Sequence, residues 1–162
     1  MNQMSGLWAA AALGLGLGVS APAHAEDQKF VGTAGWVGLV KNYELEKGHF
    51  YSSGEFRNNY FSAKGEGGFL NGTSSRCPAV GEVDVNAKTV KFTGYCIVSD
   101  ADGDKVYFKW QDDGTLLTQE GKYQFVGGSG KYQAITGSGT YVSHLSVAWP
   151  DDTVSGYSSF PP

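Results

Sequence analysis

Residues 127–141 read Gly-Gly-Ser-Gly-Lys-Tyr-Gln-Ala-Ile-Thr-Gly-Ser-Gly-Thr-Tyr. Five glycines in fifteen residues frame short runs of Tyr, Ile and Thr. Glycine accepts positive φ and lets backbones approach closely. Set between strand-forming residues at this density, it points to tight corners in a closed sheet.

The chain on either side agrees. From residue 26 onward no window sustains apolar residues at i, i+3, i+4 and i+7, so no long amphipathic helix is expected. Short runs of Val, Tyr, Phe, Thr and Ile alternate with Gly, Asn and Asp about every 8–12 residues, the mark of an antiparallel sandwich or barrel. The runs place strands near 34–45, 49–57, 59–69, 78–85, 88–98, 104–111, 115–126 and 139–149. The tail after Trp149 reads as loosely held.

One hairpin can be checked for internal consistency. A turn at Asn86-Ala87 sets Val83 opposite Val90, Gly81 opposite Phe92 and Cys77 opposite Cys96. On the other face it sets Glu82 against Lys91 and Asp84 against Thr89. One register aligns an apolar face, a charge pair and two cysteines. Ala87 suits the positive φ of a two-residue turn poorly, and a longer loop over Val85–Lys88 keeps the register. Asp102-Gly103 and Asp113-Gly114 are strong turn dipeptides and predict two more hairpins. They pair Ile97 with Phe108, Tyr95 with Trp110, and Trp110 with Leu117. These apolar pairs fall on the face opposite to Cys96. Either a bulge at Gly94 switches the faces, or both faces are covered, one by the core and one by a neighbouring subunit.

Leu7 to Val19 is an apolar stretch too short to span a bilayer. It ends in Ser20-Ala21-Pro22-Ala23-His24-Ala25, an Ala-x-Ala-like exit before Glu26-Asp27. No Lys or Arg precedes it. Residues 1–25 therefore read as a cleaved signal peptide and 26–162 as one domain, periplasmic or secreted. The net charge of −4, with signs mixed along the chain, excludes nucleic acid and anionic membranes as expected partners. In an exported chain the two cysteines, Cys77 and Cys96, are expected to form a disulfide. With only His49 and His144 left beside them, no typical zinc site is available. Asp100-Ala101-Asp102-Gly103-Asp104 lacks the spacing of an EF-hand loop, and no metal is expected.

Tyr123 to Tyr141 resembles the signature shared by plant allene oxide cyclases and dirigent proteins. There a strand leads into Gly-Gly-(Ser/Thr)-Gly-x-aromatic, then a turn, then a glycine before the next strand. The matching positions are Gly127, Gly128, Ser129, Gly130, Tyr132 and Gly137. Gly94-Tyr95-Cys96-Ile97-Val98, the turn at Gly103-Asp104, and Val106-Tyr107-Phe108 extend the likeness over residues 94–145. The resemblance implies an all-β, calycin-like fold: a single eight-stranded antiparallel barrel with a cavity for a hydrophobic small molecule. It also implies no cofactor and a homotrimer. The cyclases carry Tyr-Glu-Ile-Asn on their first strand, where Glu assists epoxide opening and Asn holds a water. The nearest match is Tyr43-Glu44-Leu45-Glu46, with Glu46 in place of Asn. The Ser-Pro that follows in the cyclases is absent, and His49 and Phe50 stand near that point.

Glu44 is then a candidate acid or base inside an apolar cavity, or a solvated carboxylate near Lys41 and Lys47. Glu55, in Ser53-Gly54-Glu55-Phe56-Arg57, is the second candidate, or an outward strand residue. Tyr43, Phe56, Tyr95, Phe108, Trp110 and Tyr123 are the candidate ligand-binding aromatics, or plain core. The expected function is binding of an apolar or aromatic small molecule inside the barrel. The alternatives are a cofactor-free isomerase, cyclase or lyase using Glu44 or Glu55, and a cell-envelope interaction protein.

Overall fold

The computed structural model describes residues 27–162. The expected leader, residues 1–25, lies outside the described residues. Eight strands follow one another: β1 Gly32–Glu46, β2 His49–Ser62, β3 Ser74–Asp84, β4 Thr89–Ser99, β5 Lys105–Thr115, β6 Thr118–Gly128, β7 Ser138–Ala148 and β8 Thr153–Phe160. Each pairs antiparallel with the next, and β8 pairs with β1, so the sheet is a closed barrel. Closure leaves no edge strand. Among the described residues there is no α-helix, only a 3-10 turn at Gly130–Tyr132. The expected eight-stranded antiparallel barrel with one disulfide is the fold observed.

Alternation along each strand makes the inside. β6 alternates exposed and buried residues from Thr118 to Val126, and β3 does so from Ser74 to Val80. Inward aromatics lie across inward glycines on the adjacent strand. Tyr141 covers Gly121, Tyr123 covers Gly139, and Trp36 covers Gly156. Phe56, Phe92 and Trp110 lie likewise over Gly38, Gly81 and Gly94. A closed eight-stranded barrel has little interior width, and a ring facing a missing side chain is one way to fill it.

One end is plugged. Phe30, Leu70 and Ile135 come from segments outside the strands and are buried against Tyr60, Val98, Val106, Phe108 and Phe125. The Phe30 ring packs edge-on against Tyr60 and Phe160. Its backbone N–H donates to the Tyr123 hydroxyl at 3.0 Å. Burying a ring this fully contributes about 1.5–3 kcal/mol. Just outside, Gln28 N–H donates to the Thr136 carbonyl at 2.8 Å, which ties the N-terminal segment to the glycine-rich stretch. A side chain at Gly137 would meet the Gln28 carbonyl, and its φ is 125°. Further back, β6 carries one extra residue against β5, between the Tyr107–Gly127 and Phe108–Phe125 pairs. Gly127 beside it takes φ 143°, so a glycine does serve a bend of the closed sheet.

The β3–β4 register is the one expected: Glu82 pairs with Lys91, Val83 with Val90 and Asp84 with Thr89. The turn is the longer loop 85–88, in which Asp84 Oδ1 accepts the Ala87 N–H at 2.8 Å. Cys77 and Cys96 form the expected disulfide.

Four expectations are corrected. The runs 49–57 and 59–69 are not two strands. Asn58 and Asn59 pair with Trp36 and Gly35 inside one long β2, and 63–73 is a loop. The tail after Trp149 is not loose, since Thr153–Phe160 is the strand that closes the barrel. The β4–β5 register is one residue away from the expected one. Ser99 pairs with Lys105, so Cys96 faces Phe108 and Gly94 faces Trp110. The Asp100 side chain accepts N–H groups from Asp102 and Asp104, which holds a five-residue loop in place of a two-residue turn. Phe108 and Trp110 thus share the inner face with Cys96, and no switch of faces occurs at Gly94. Finally, Asp113-Gly114 is not a turn. It lies within β5, and the chain reverses at Leu116-Leu117, where Thr115 Oγ1 accepts the Thr118 N–H at 3.1 Å.

Candidate functional site

The hairpin turns β1–β2, β3–β4, β5–β6 and β7–β8 gather at the end opposite the plug. Val85, Leu116 and Trp149, from three of these turns, ring a mouth that leads into a cavity of about 430 Å³. That lies within the range of small-molecule sites. The cavity floor is the top of the plug: Tyr60, Phe108, Tyr141, Phe160 and the Cys77–Cys96 bridge. At half depth Phe56 stands at the centre of an aromatic wall. Trp36, Phe92 and Trp110 pack edge-on around it at 5.8, 5.7 and 5.9 Å between ring centroids. The barrel is a cup, shut at one end and open at the other.

Among the described residues, the wall below the mouth carries one carboxyl. Asp112 faces inward because β5 alternates, placing it on the face of Phe108 and Trp110. Around the barrel, Asp112 pairs with Gly121 and Gly121 with Tyr141. Gly121 has no side chain, so the Tyr141 ring crosses β6 over it and its hydroxyl donates to Asp112 Oδ2 at 3.1 Å. Asp112 Oδ1 is buried with no hydrogen-bond partner, and so are the indole nitrogens of Trp36 and Trp110. Burial pushes the Asp112 carboxyl up to about 6, against the opposing effects of the Tyr141 hydrogen bond and the Phe92 backbone amide. Burial, then the nearby Asp112, holds the Tyr141 hydroxyl well above the usual phenol range.

The remaining polar lining is hydrogen-bonded, to its own members or to residues just behind it. Ser52 Oγ donates to Asn42 Oδ1 at 2.6 Å, Ser158 Oγ to Ser143 Oγ at 3.2 Å, and Asn58 Nδ2 to Ser75 Oγ at 2.9 Å. Gln119 Nε2 donates to the Thr115 carbonyl. Among the described residues, the charged ones lining the cavity are Asp112 and, at the mouth, Asp152; no Lys, Arg or His lines it.

The candidate residues divide. Phe56, Phe108 and Trp110 line the cavity. Tyr123 faces inward but lies lower, in the plug, beneath Phe30. Tyr43 and Tyr95 lie on the outer face, where Tyr43 packs with Tyr51 and Lys41. Glu44 is exposed and accepts the Gly48 N–H at 3.2 Å, which closes the β1–β2 turn. Glu55 faces outward between Arg57 and Arg76, at 2.8 and 2.6 Å, and the Arg76 contact foremost holds its carboxyl below the usual range. Neither glutamate reaches the cavity. The acidic turn holds Lys131, whose Nζ lies 2.7 Å from Asp100 and 2.9 Å from Asp102. Among the described residues no cluster of His, Cys, Asp or Glu could hold a metal ion.

Sequence reasoning missed Asp112, Tyr141 and Trp36. The spacing Phe108-x-Trp110-x-Asp112 carries the signal for the first. Reading Asp113-Gly114 as a turn ended the strand too early for that alternation to be followed.

The chain matches no protein-family model, no curated protein and no solved structure.

Proposed function

We propose that this protein is an exported barrel that binds one apolar or aromatic small molecule inside its cup. The open cavity of about 430 Å³, walled by Trp36, Phe56, Phe92 and Trp110, carries this reading. The disulfide supports an oxidising compartment, and the likeness of residues 94–145 to the cyclase and dirigent barrels supports the same kind of ligand. The unpartnered indole N–H groups favour a ligand that also offers an acceptor atom. The test is saturable binding of the neutral probe 1-naphthalenemethanol, followed by calorimetry. Expected is one site per chain, lost in Ala148→Trp, which places an indole at the mouth. Absence of saturable binding to the folded protein by this probe and by its amine and carboxylate analogues overturns the reading.

One observation favours a second reading, a cofactor-free isomerase or cyclase. Asp112 exchanges its proton near pH 6 and keeps Oδ1 unpartnered in the cavity wall, beside the Tyr141 hydroxyl. Those are the properties of a general acid or base. On this reading Asp112 takes the part expected of Glu44 or Glu55. Asp112→Asn would then abolish turnover and leave affinity for a neutral ligand intact.

A further inference from the structure

We infer that the molecule held in the cup carries a cationic nitrogen, an ammonium group set against the Asp112 carboxylate, on an apolar body. This rests on the cup being a binding site, and it specifies the chemistry of the occupant.

Three observations converge. Asp112 Oδ2 is held by the Tyr141 hydroxyl, while Oδ1 is buried without a partner at half depth. A buried carboxylate with an unpartnered oxygen is costly until a donor reaches it, and a charged donor offsets that cost best. Next, the ionic lining is of one sign. Among the described residues Asp112 and Asp152 face the cavity and no Lys, Arg or His does, so no cation lining the cavity competes for the site and no charged group there attracts an anionic ligand. Last, the wall is aromatic. Phe92 is the cross-strand neighbour of Asp112, and Trp110 precedes it by two residues on the same face. Ring faces favour a cation that has left water.

The preference depends on pH through Asp112. β4 presents Val90 and Phe92 to the cavity, β6 presents Gln119, and β7 presents Tyr141 and Ser143. Of these only Tyr141 titrates, far above neutrality, with Tyr60 near it on the floor. Asp113 points outward on β5, and Asp152 stands at the mouth. The ammonium preference is therefore full above the range where Asp112 ionises and is lost below it.

The experiment uses three ligands of one shape: 1-naphthylmethylamine, 1-naphthalenemethanol and 1-naphthoate. Calorimetry at about pH 8 is expected to show the amine binding at least about tenfold more tightly than the alcohol, with the carboxylate weakest. At about pH 5 the amine's advantage shrinks toward nothing. Asp112→Asn removes the amine's advantage over the alcohol at both pH values. If this variant does not fold, the pH series on the natural chain decides alone. Amine and alcohol binding equally at about pH 8 overturns the inference while the cup remains a binding site. Tightest binding by the carboxylate also overturns it. Binding by none of the three overturns both the inference and the reading beneath it.

Discussion

Asp112 is a carboxyl kept where water would normally serve it, and its environment has a stability consequence of definite sign. Its folded-state value of about 6 lies above the ordinary 3.8. Between the two, the folded protein holds a proton that the unfolded chain has released. The residue's contribution is thus most favourable below about pH 4, falls as pH rises, and is fully lost above about pH 6. Asparagine does not titrate and can still accept from the Tyr141 hydroxyl. Asp112→Asn is expected to be more stable than the natural chain at about pH 8, by about 1–3 kcal/mol. At about pH 4 the two should be alike. Urea unfolding at both pH values checks this, and a variant less stable at about pH 8 contradicts the account. A group that costs stability at neutral pH is of the kind found at functional sites.

At the scale of the strand, the unit of construction is a ring over a glycine on the neighbouring strand. Gly121 is the most consequential case, because Tyr141 crosses it to reach Asp112. A methyl group there would overlap the ring. Gly121→Ala is expected to destabilise the barrel by about 1–3 kcal/mol and to break the Tyr141–Asp112 hydrogen bond. The measurement is a urea midpoint together with the Asp112 titration by carbonyl NMR, which should move in the variant. The sheet was legible in the sequence wherever several signals agreed. The β3–β4 hairpin aligned Val83 with Val90, Glu82 with Lys91 and the two cysteines in one register, and that register is observed. Legibility failed where a turn dipeptide was read alone. Asp102-Gly103 sits inside a loop widened by the Asp100 side chain, and the true β5–β6 turn uses two leucines. Leu116 lines the mouth and Leu117 points to solvent, so a rim position selected these residues and turn propensity did not. The cavity aromatics Phe56, Phe108 and Trp110 were found from composition and spacing, whereas Asp112 was lost with the misplaced turn. Glu44 was singled out through the likeness to the cyclases' first strand and lies at the end of β1, beside the turn it closes; Glu55 was singled out by local pattern, which does not report the side of the sheet.

For the whole molecule, closure depends on a strand that composition hid. β8 reads Thr-Val-Ser-Gly-Tyr-Ser-Ser-Phe, small and polar enough to pass for a tail. Its inward set nonetheless fits: Gly156 lies beneath Trp36, Ser158 meets Ser143, and Phe160 packs on Phe30 and Tyr123. A chain ending at Trp149 would leave β1 and β7 as open edges. Expected is loss of the cooperative unfolding transition and self-association, seen by circular dichroism and size-exclusion chromatography; a monomeric, cooperatively folding truncation would contradict the role given to β8. The connectivity also orders events in time. Seven of the eight pairings join neighbours in sequence, and only β1–β8 joins the two extremes. Local hairpins can form while the chain is being made, but the seam cannot. Until Phe160 has left the ribosome the first strand waits with one flank bare, so the seam is the last of the pairings that can form.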